Sequence, residues 1–212
     1  VGRCIQRLKQ QGLYDETLII YHADHGEYLG YRHLLLKGNH MYEPLMRVPL
    51  LLKWPQQYRA GQRSSELVCG IDLAPTILSA AGIDPPQSWP GLDLAAPDTR
   101  DVVFAEVGRG RQYMARDKRF KLLLSQQERQ SRLFDLDNDP LEQINLFGRE
   151  DFAQPQHRLE LALWQWLAFD TPTPVHLDLA APTVSSTDSA DATGWQDNYD
   201  YFARQMRRPQ ES

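Results

Sequence analysis

The run Thr17-Leu18-Ile19-Ile20-Tyr21-His22-Ala23-Asp24-His25-Gly26-Glu27 decides the fold. Its first five residues are β-branched, apolar or aromatic with no polar alternation, which predicts a strand buried on both faces, as in a parallel sheet. The next six crowd ionisable groups together at the carboxyl end of that strand. Ligands of open α/β sheets bind just outside the carboxyl ends of the strands, so this cluster is the first place to look for chemistry.

Upstream, Val1, Cys4, Ile5 and Leu8 follow the i, i+3, i+4, i+7 stripe of an amphipathic helix, and Gly12 stands where a helix C′ residue belongs. No N-cap residue and no initiating Met precede the stripe, so the chain reads as the C-terminal part of a longer protein. Downstream of the cluster come His33, Lys37, His40 and Glu43, and then a second apolar run, Val48-Pro49-Leu50-Leu51-Leu52, closing at Trp54-Pro55. Asp72 is then predicted to cap a helix that accepts Pro75 in its first turn and stops at Gly82. Helix, strand, loop, strand, helix is the order of a doubly wound α/β sheet, and it assigns residues 1–95 to one domain.

Beyond Pro85-Pro86 and Pro90-Gly91 the pattern changes to short strand-like pieces at 102–107, 111–115, 119–124 and 132–136, read as a small antiparallel sheet. Asp139-Pro140-Leu141-Glu142 has the form of a capping box, with Pro at the first helical position and an acid three residues after the cap. A last helix over about 155–169 carries Leu159, Ala162, Leu163, Trp166 and Leu167 on one face, a stripe suited to packing on that sheet. Residues 96–170 therefore read as a small α+β subdomain, and 171–212 as a Pro/Thr/Ser/Asp/Ala linker followed by a tail with Trp195, Tyr199, Tyr201 and Phe202.

Composition narrows the function classes. With 23 basic and 28 acidic residues among 212, the formal charge is −5, which lacks the basic footprint of a nucleic-acid binder. No apolar run approaches the roughly 18 residues needed to span a bilayer, so no membrane partner is expected. The two cysteines, Cys4 and Cys69, make neither a disulfide framework nor a Cys-rich zinc site. The compartment is left open.

Within the cluster, Asp24 and His25 point to opposite sides if the strand continues, but a turn at Gly26 lets both converge on one ion. A carboxylate oxygen beside an imidazole nitrogen is a reasonable partial shell for a divalent cation. Taken singly, Asp24 reads more readily as the cap of a following helix than as a functional group, His22, His33 and His40 as surface or satisfied structural histidines, and Lys37 as a solvated charge. His22-x-Asp24-His25 also has a superficial likeness to a zinc-hydrolase run, but Ile20 occupies the position of the further histidine.

Taken together, these residues resemble the sulfatases of the alkaline phosphatase superfamily. The resemblance is carried by Thr17-Leu18-Ile19-Ile20, Ala23-Asp24-His25-Gly26-Glu27, Lys37-Gly38, Tyr42-Glu43, Arg47-Val48-Pro49-Leu50 and Trp54-Pro55. It continues in Asp72-Leu73-Ala74-Pro75-Thr76-Ile77-Leu78, Ala81-Gly82-Ile83, Leu133-Phe134-Asp135-Leu136, Asp139-Pro140, Glu142 and Asn145-Leu146, covering roughly residues 1–170. The resemblance implies the C-terminal part of an alkaline-phosphatase-like doubly wound sheet, followed by the small antiparallel sheet with its packed C-terminal helix.

It further implies that Asp24 and His25 are metal ligands, usually for calcium with manganese as the alternative, His25 standing where other members have Asn. Lys37 is implied as the catalytic and substrate-binding residue that holds the sulfate group. Glu43 and Arg47 also match family positions and are read as a structural pair near the site. The family's Cys-x-Pro-x-Arg signature, whose Cys or Ser becomes the formylglycine nucleophile, is absent: Cys4 is followed by Ile5-Gln6-Arg7 and Cys69 by Gly70-Ile71-Asp72. The formylglycine is therefore expected upstream of Val1, and the chain alone is expected not to turn over. The implied activity is hydrolysis of sulfate esters on a sulfated small molecule or glycan. A phosphonate or phosphate ester hydrolase of the same superfamily is one alternative, and an assembly module that forms a homo-oligomer through the aromatic tail is the other.

Overall fold

The computed structural model describes residues 1–38, 40–107, 112–125 and 131–170. The predicted tail, 171–212, lies outside the described residues. The opening stripe forms helix α1, Gly2–Gln10, and the chain leaves it through Gly12 at φ +69°, the left-handed conformation that a C′ glycine adopts without steric cost.

The two apolar runs become β1, Ile19–His22, and β2, Leu50–Lys53. They pair antiparallel, with Ile19 opposite Lys53 and His22 opposite Leu50. The parallel neighbour expected for β1 is thus replaced by an antiparallel one. The cross-strand partners Tyr21 and Leu51 are 47% and 65% exposed, so one face of this pair is open among the described residues and the doubly buried reading does not hold there. Between the strands lies a short helix, α2, Glu43–Met46, and after them comes helix α3, Leu73–Ala80.

Asp72 stands at the N-cap position of α3, but its side chain bonds outside that helix. It accepts the N–H groups of Cys69 (2.7 Å) and Leu92 (2.9 Å) and a two-pronged bond from Arg100 (3.1 and 2.6 Å). Charge-assisted bonds to a guanidinium are stronger than a neutral cap bond, and they tie the chain after α3 back to its start.

Four strands follow in an antiparallel meander: β3 Val103–Val107, β4 Gln112–Arg116, β5 Phe120–Ser125 and β6 Arg132–Asp135. Both faces are covered, which explains the long apolar runs in these strands. On one face Ala115, Leu122 and Leu133 pack under Leu159 and Leu163 of helix α4, Ala153–Gln165, whose last turn extends as Trp166–Asp170. Trp166 stacks on Phe104 with ring centres 5.0 Å apart. On the other face Met114, Leu123 and Phe134 pack with Tyr28, Met41, Tyr42 and Leu45, the segments flanking the predicted site. The α/β class, the antiparallel sheet and its packed helix are present.

The predicted capping box at 139–142 starts no helix. Asp139 accepts the N–H of Ile144 (2.7 Å), and Glu142 takes φ +48° and turns inward to complete burial. An acid held by distant charges is no longer available to cap its own turn.

Candidate functional site

β1 ends at His22, and the chain bends at once. The bend brings Asp24 and His25 to the same side: Asp24 Oδ2 lies 3.7 Å from His25 Nε2, while Asp24 Oδ1 accepts the His25 backbone N–H at 3.0 Å. That N–H bond is the chief influence holding the Asp24 carboxyl below the usual carboxylate range. The Asp24 side chain is 89% exposed and that of His25 36%.

His25 Nδ1 faces the Gly26 carbonyl at 2.7 Å. A carbonyl only accepts, so Nδ1 carries a proton, and the lone pair that the ring offers Lys37 is on Nε2. Lys37 Nζ donates to that lone pair at 3.2 Å. The three predicted site residues, Asp24, His25 and Lys37, therefore stand together at the carboxyl end of β1, with an ammonium facing a carboxylate–imidazole pair.

The surrounding segments position these groups. Gly26 N–H donates to Leu45 O at 2.8 Å, and Pro44 O occupies the space that a Gly26 Cβ would need, so glycine is required for this approach. The segment carrying Lys37 rests on the buried Tyr28 and Tyr42 and the half-buried Tyr31. Tyr28 OH donates to His40 O, Tyr31 OH donates to Leu141 O, and the Tyr42 ring packs at a tilt against Phe134 with ring centres 6.1 Å apart. Burial pushes the Tyr28 and Tyr31 phenols up to about 12, so both remain neutral donors. Leu29, Arg32 and His33 all have positive φ, conformations unfavourable for residues with a Cβ and held here by surrounding contacts.

His22 is exposed, with Nδ1 3.0 Å from the carbonyl of Ala23, and His33 is exposed as well. The His40 imidazole is kept below its usual range by burial, then by Arg132 and Arg32. Neither His22 nor His40 joins the Asp24–His25 pair, and no group of three or more His, Cys, Asp or Glu side chains converges among the described residues.

The predicted Glu43–Arg47 pair does not form. Glu43 instead meets Lys121 (3.0 Å) and Arg116 (3.3 Å) from the four-stranded sheet, while Arg47 is exposed. Lys121 also contacts Glu142 Oε1 at 3.0 Å, and both side chains are fully buried. Arg116 and Lys121 are cross-strand partners, so the register of β4 on β5 brings both cations under Glu43. Sequence reasoning missed Lys121 and read Glu142 as the acid of a capping box rather than as its buried partner. The available signal was a lone Lys between Phe120 and the apolar run 122–124, on strands whose faces are both covered.

Residues 1–83 match the family model named Sulfatase. The chain is 31% identical over 176 residues to an N-acetylglucosamine-6-O-sulfatase of Bacteroides thetaiotaomicron, covering 75% of this chain and 31% of that protein. A solved structure described as BT4656 in complex with its substrate D-glucosamine-2-N,6-O-disulfate superposes with a TM-score of 0.70 at 30% identity, covering 77% of this chain and 36% of that one. The phosphonate monoester hydrolase of Agrobacterium radiobacter superposes with a TM-score of 0.69 at 25% identity, covering 80% and 38%. The fold is that of the alkaline phosphatase superfamily of hydrolases. The chain belongs to the sulfatase family within it. It spans about a third of the length of the relatives it matches.

Sulfatases in general use a divalent metal and a formylglycine. The donor set fits one side of a divalent-cation shell. Asp24 Oδ2 and His25 Nε2 make no backbone bond, a cation at Nε2 would take the lone pair that Lys37 Nζ uses here, and the Nδ1–H to carbonyl bond is the usual way a ligating histidine is oriented. Neither Cys4, exposed, nor Cys69, half-buried and pushed up by burial, lies in a formylglycine signature.

Proposed function

We propose that this chain supplies the metal-binding and sulfate-binding side of a sulfuric ester hydrolase acting on a sulfated sugar, with Asp24 and His25 as metal ligands and Lys37 as the residue that grips the sulfate. Residues 1–95 carry these groups, and residues 96–170 form the platform beneath them. The observation that carries the reading is the placement of the Lys37 ammonium 3.2 Å from His25 Nε2, on the same side as the Asp24 carboxylate.

Sulfate ester hydrolysis concentrates negative charge on the non-bridging and leaving oxygens. A divalent ion held by Asp24 and His25, calcium as the family resemblance implies with manganese as the alternative, would supply Lewis-acid neutralisation of that charge. Lys37 adds a compact ammonium that suits a tetrahedral oxyanion. The Gly26 carbonyl holds His25 in the tautomer whose Nε2 lone pair faces the site. The nucleophile is assigned to a formylglycine outside this chain. The sugar assignment draws support from the relatives: one is named for N-acetylglucosamine 6-O-sulfate, and another is solved with a disulfated glucosamine.

A phosphonate or phosphate ester substrate is the second reading, favoured by the likeness to a phosphonate monoester hydrolase. One experiment separates the two. The full-length protein containing this chain is assayed on an aryl sulfate and on the matching phosphate and phosphonate esters, with and without chelator, as wild type and as Lys37→Ala. Chelator-sensitive sulfate hydrolysis that falls about 10²-fold or more in Lys37→Ala is expected, the loss typical of removing one charge-stabilising donor. Hydrolysis of the phosphorus esters alone would overturn the sulfatase reading.

A further inference from the structure

The segment that presents Lys37 leaves the protein body through Tyr28, Tyr31 and Arg32 and returns through Tyr42 and Glu43. One buried residue holds both limbs. On the outgoing limb, Arg32 donates to the Glu142 carbonyl, and Tyr31 donates to the carbonyl of its neighbour Leu141. On the returning limb, the Glu43 N–H donates to Glu142 Oε2 at 2.7 Å. Lys121 then bridges the two acids, 3.0 Å from Glu142 Oε1 and 3.0 Å from Glu43 Oε1. The arrangement requires Glu142 to sit at φ +48° with its side chain fully buried.

A buried ion pair contributes little net stability compared with apolar residues of the same volume, so what this one offers is the geometry it selects. That geometry reaches the site by two routes. Glu43 opens α2, whose Pro44 and Leu45 carbonyls abut Gly26 and therefore fix His25. Arg32, held by the Glu142 carbonyl, lies 4.9 Å over the Tyr42 ring and joins the two limbs below Lys37.

We infer that Glu142, with Lys121, is a positioning residue that clamps both limbs of the Lys37 segment and sets the Lys37–His25 approach. The inference rests on the proposed function for its catalytic meaning, because the reaction is what makes the Lys37 position matter. A residue acting through Lys37 loses that share of its effect once Lys37 is gone, whereas a merely structural residue does not.

The test is a double-mutant cycle in the full-length protein. Glu142→Ala and Glu142→Gln are placed in the parent and in the Lys37→Ala background, and kcat and KM are measured on an aryl sulfate. Amide hydrogen exchange is followed in residues 28–38 and 40–46, with the sheet at 112–125 as reference. Glu142→Ala is expected to lower kcat/KM about tenfold or more in the parent and by clearly less in the Lys37→Ala background, where only the route through α2 to His25 remains. Glu142→Gln keeps an acceptor for the Glu43 N–H, so it is expected to lose less, and it serves if Glu142→Ala does not fold. Exchange in 28–46 is expected to quicken about tenfold with the sheet unchanged.

Equal losses in both backgrounds overturn the inference, as does unchanged exchange in 28–46. If Lys37→Ala turns over normally, the proposed function fails. The exchange arm still decides whether Glu142 clamps the segment. The same arm decides when the Lys37→Ala background is too slow to assay.

Discussion

Replacing Gly26 with Ala tests how closely the site segment and α2 are pressed together. A Cβ on Gly26 would stand 1.9 Å from Pro44 O, 3.0 Å from Pro44 C and 3.3 Å from Leu45 Cα. Reaching even 3.0 Å from Pro44 O requires the two backbones to part by about 1.1 Å. That movement stretches the 2.8 Å bond from Gly26 N to Leu45 O to roughly 3.9 Å, beyond hydrogen-bond reach. The lost bond costs about 1 kcal/mol, and the overpacking against immovable backbone costs about 1–3 more. The expected destabilisation is therefore about 2–4 kcal/mol.

Urea unfolding of Gly26→Ala beside wild type reads this directly as a shift in midpoint at constant slope. Gly38→Ala provides the internal control. Its Cβ would meet only Tyr28 Cε2 at 3.8 Å, an ordinary contact, so its stability should change by no more than about 0.5 kcal/mol. Because His25 precedes Gly26, Gly26→Ala should also reduce ester hydrolysis in the full-length protein, whereas Gly38→Ala should reduce it far less although it lies next to Lys37. A Gly26→Ala protein as stable as Gly38→Ala would refute the packing argument, and with it the claim that α2 fixes His25.

Two further outcomes follow from the charges in the sheet. The Arg119 guanidinium beside Asp135, opposed in part by burial and helped by Asn138, holds that carboxyl down at about 2 against 3.8 in an ordinary Asp. A depressed folded-state value stabilises the fold above pH 3.8 and is lost as the pH falls towards 2, so Asp135→Asn should flatten the acid limb of the stability curve by about 2 kcal/mol; an unchanged acid limb would sink the assignment. Lys121→Met leaves Glu142 buried beside Glu43 without its cation and is expected to cost about 3–5 kcal/mol in urea unfolding, while Lys121→Met combined with Glu142→Leu should recover much of that loss. If the double variant is no better than the single one, the ion pair is not the source of the cost.

Much of this protein is written in local pattern. The apolar runs at 17–21 and 48–52 and the pieces at 102–107, 111–115, 119–124 and 132–136 all became strands, with ends displaced by a residue or two. The stripe of Leu159 and Leu163 marked the face of α4 that packs on the sheet. Strand and helix periodicities report burial directly, so these elements need no knowledge of their partners. The Asp24–His25–Gly26 run could be placed at a strand end for the same reason, but the bend that brings its two donors together comes at Asp24, directly after β1, rather than at Gly26.

What the sequence could not express is pairing across distance. β1 and β2 run antiparallel because of how the intervening segment folds back, and an apolar run looks the same in either direction. Glu142 carries the local signature of a cap, but its partners, Arg32 and Glu43, lie 110 and 99 residues away. Glu43 has Arg47 four residues along, yet it is taken by two cations that the register of β4 and β5 delivers from below. A buried charge goes to the partner that compensates its desolvation, and only the tertiary structure determines which partner is within reach. The sequence by itself determined the elements and the donor groups at the end of β1; the tertiary structure decided how Lys37 is held against them.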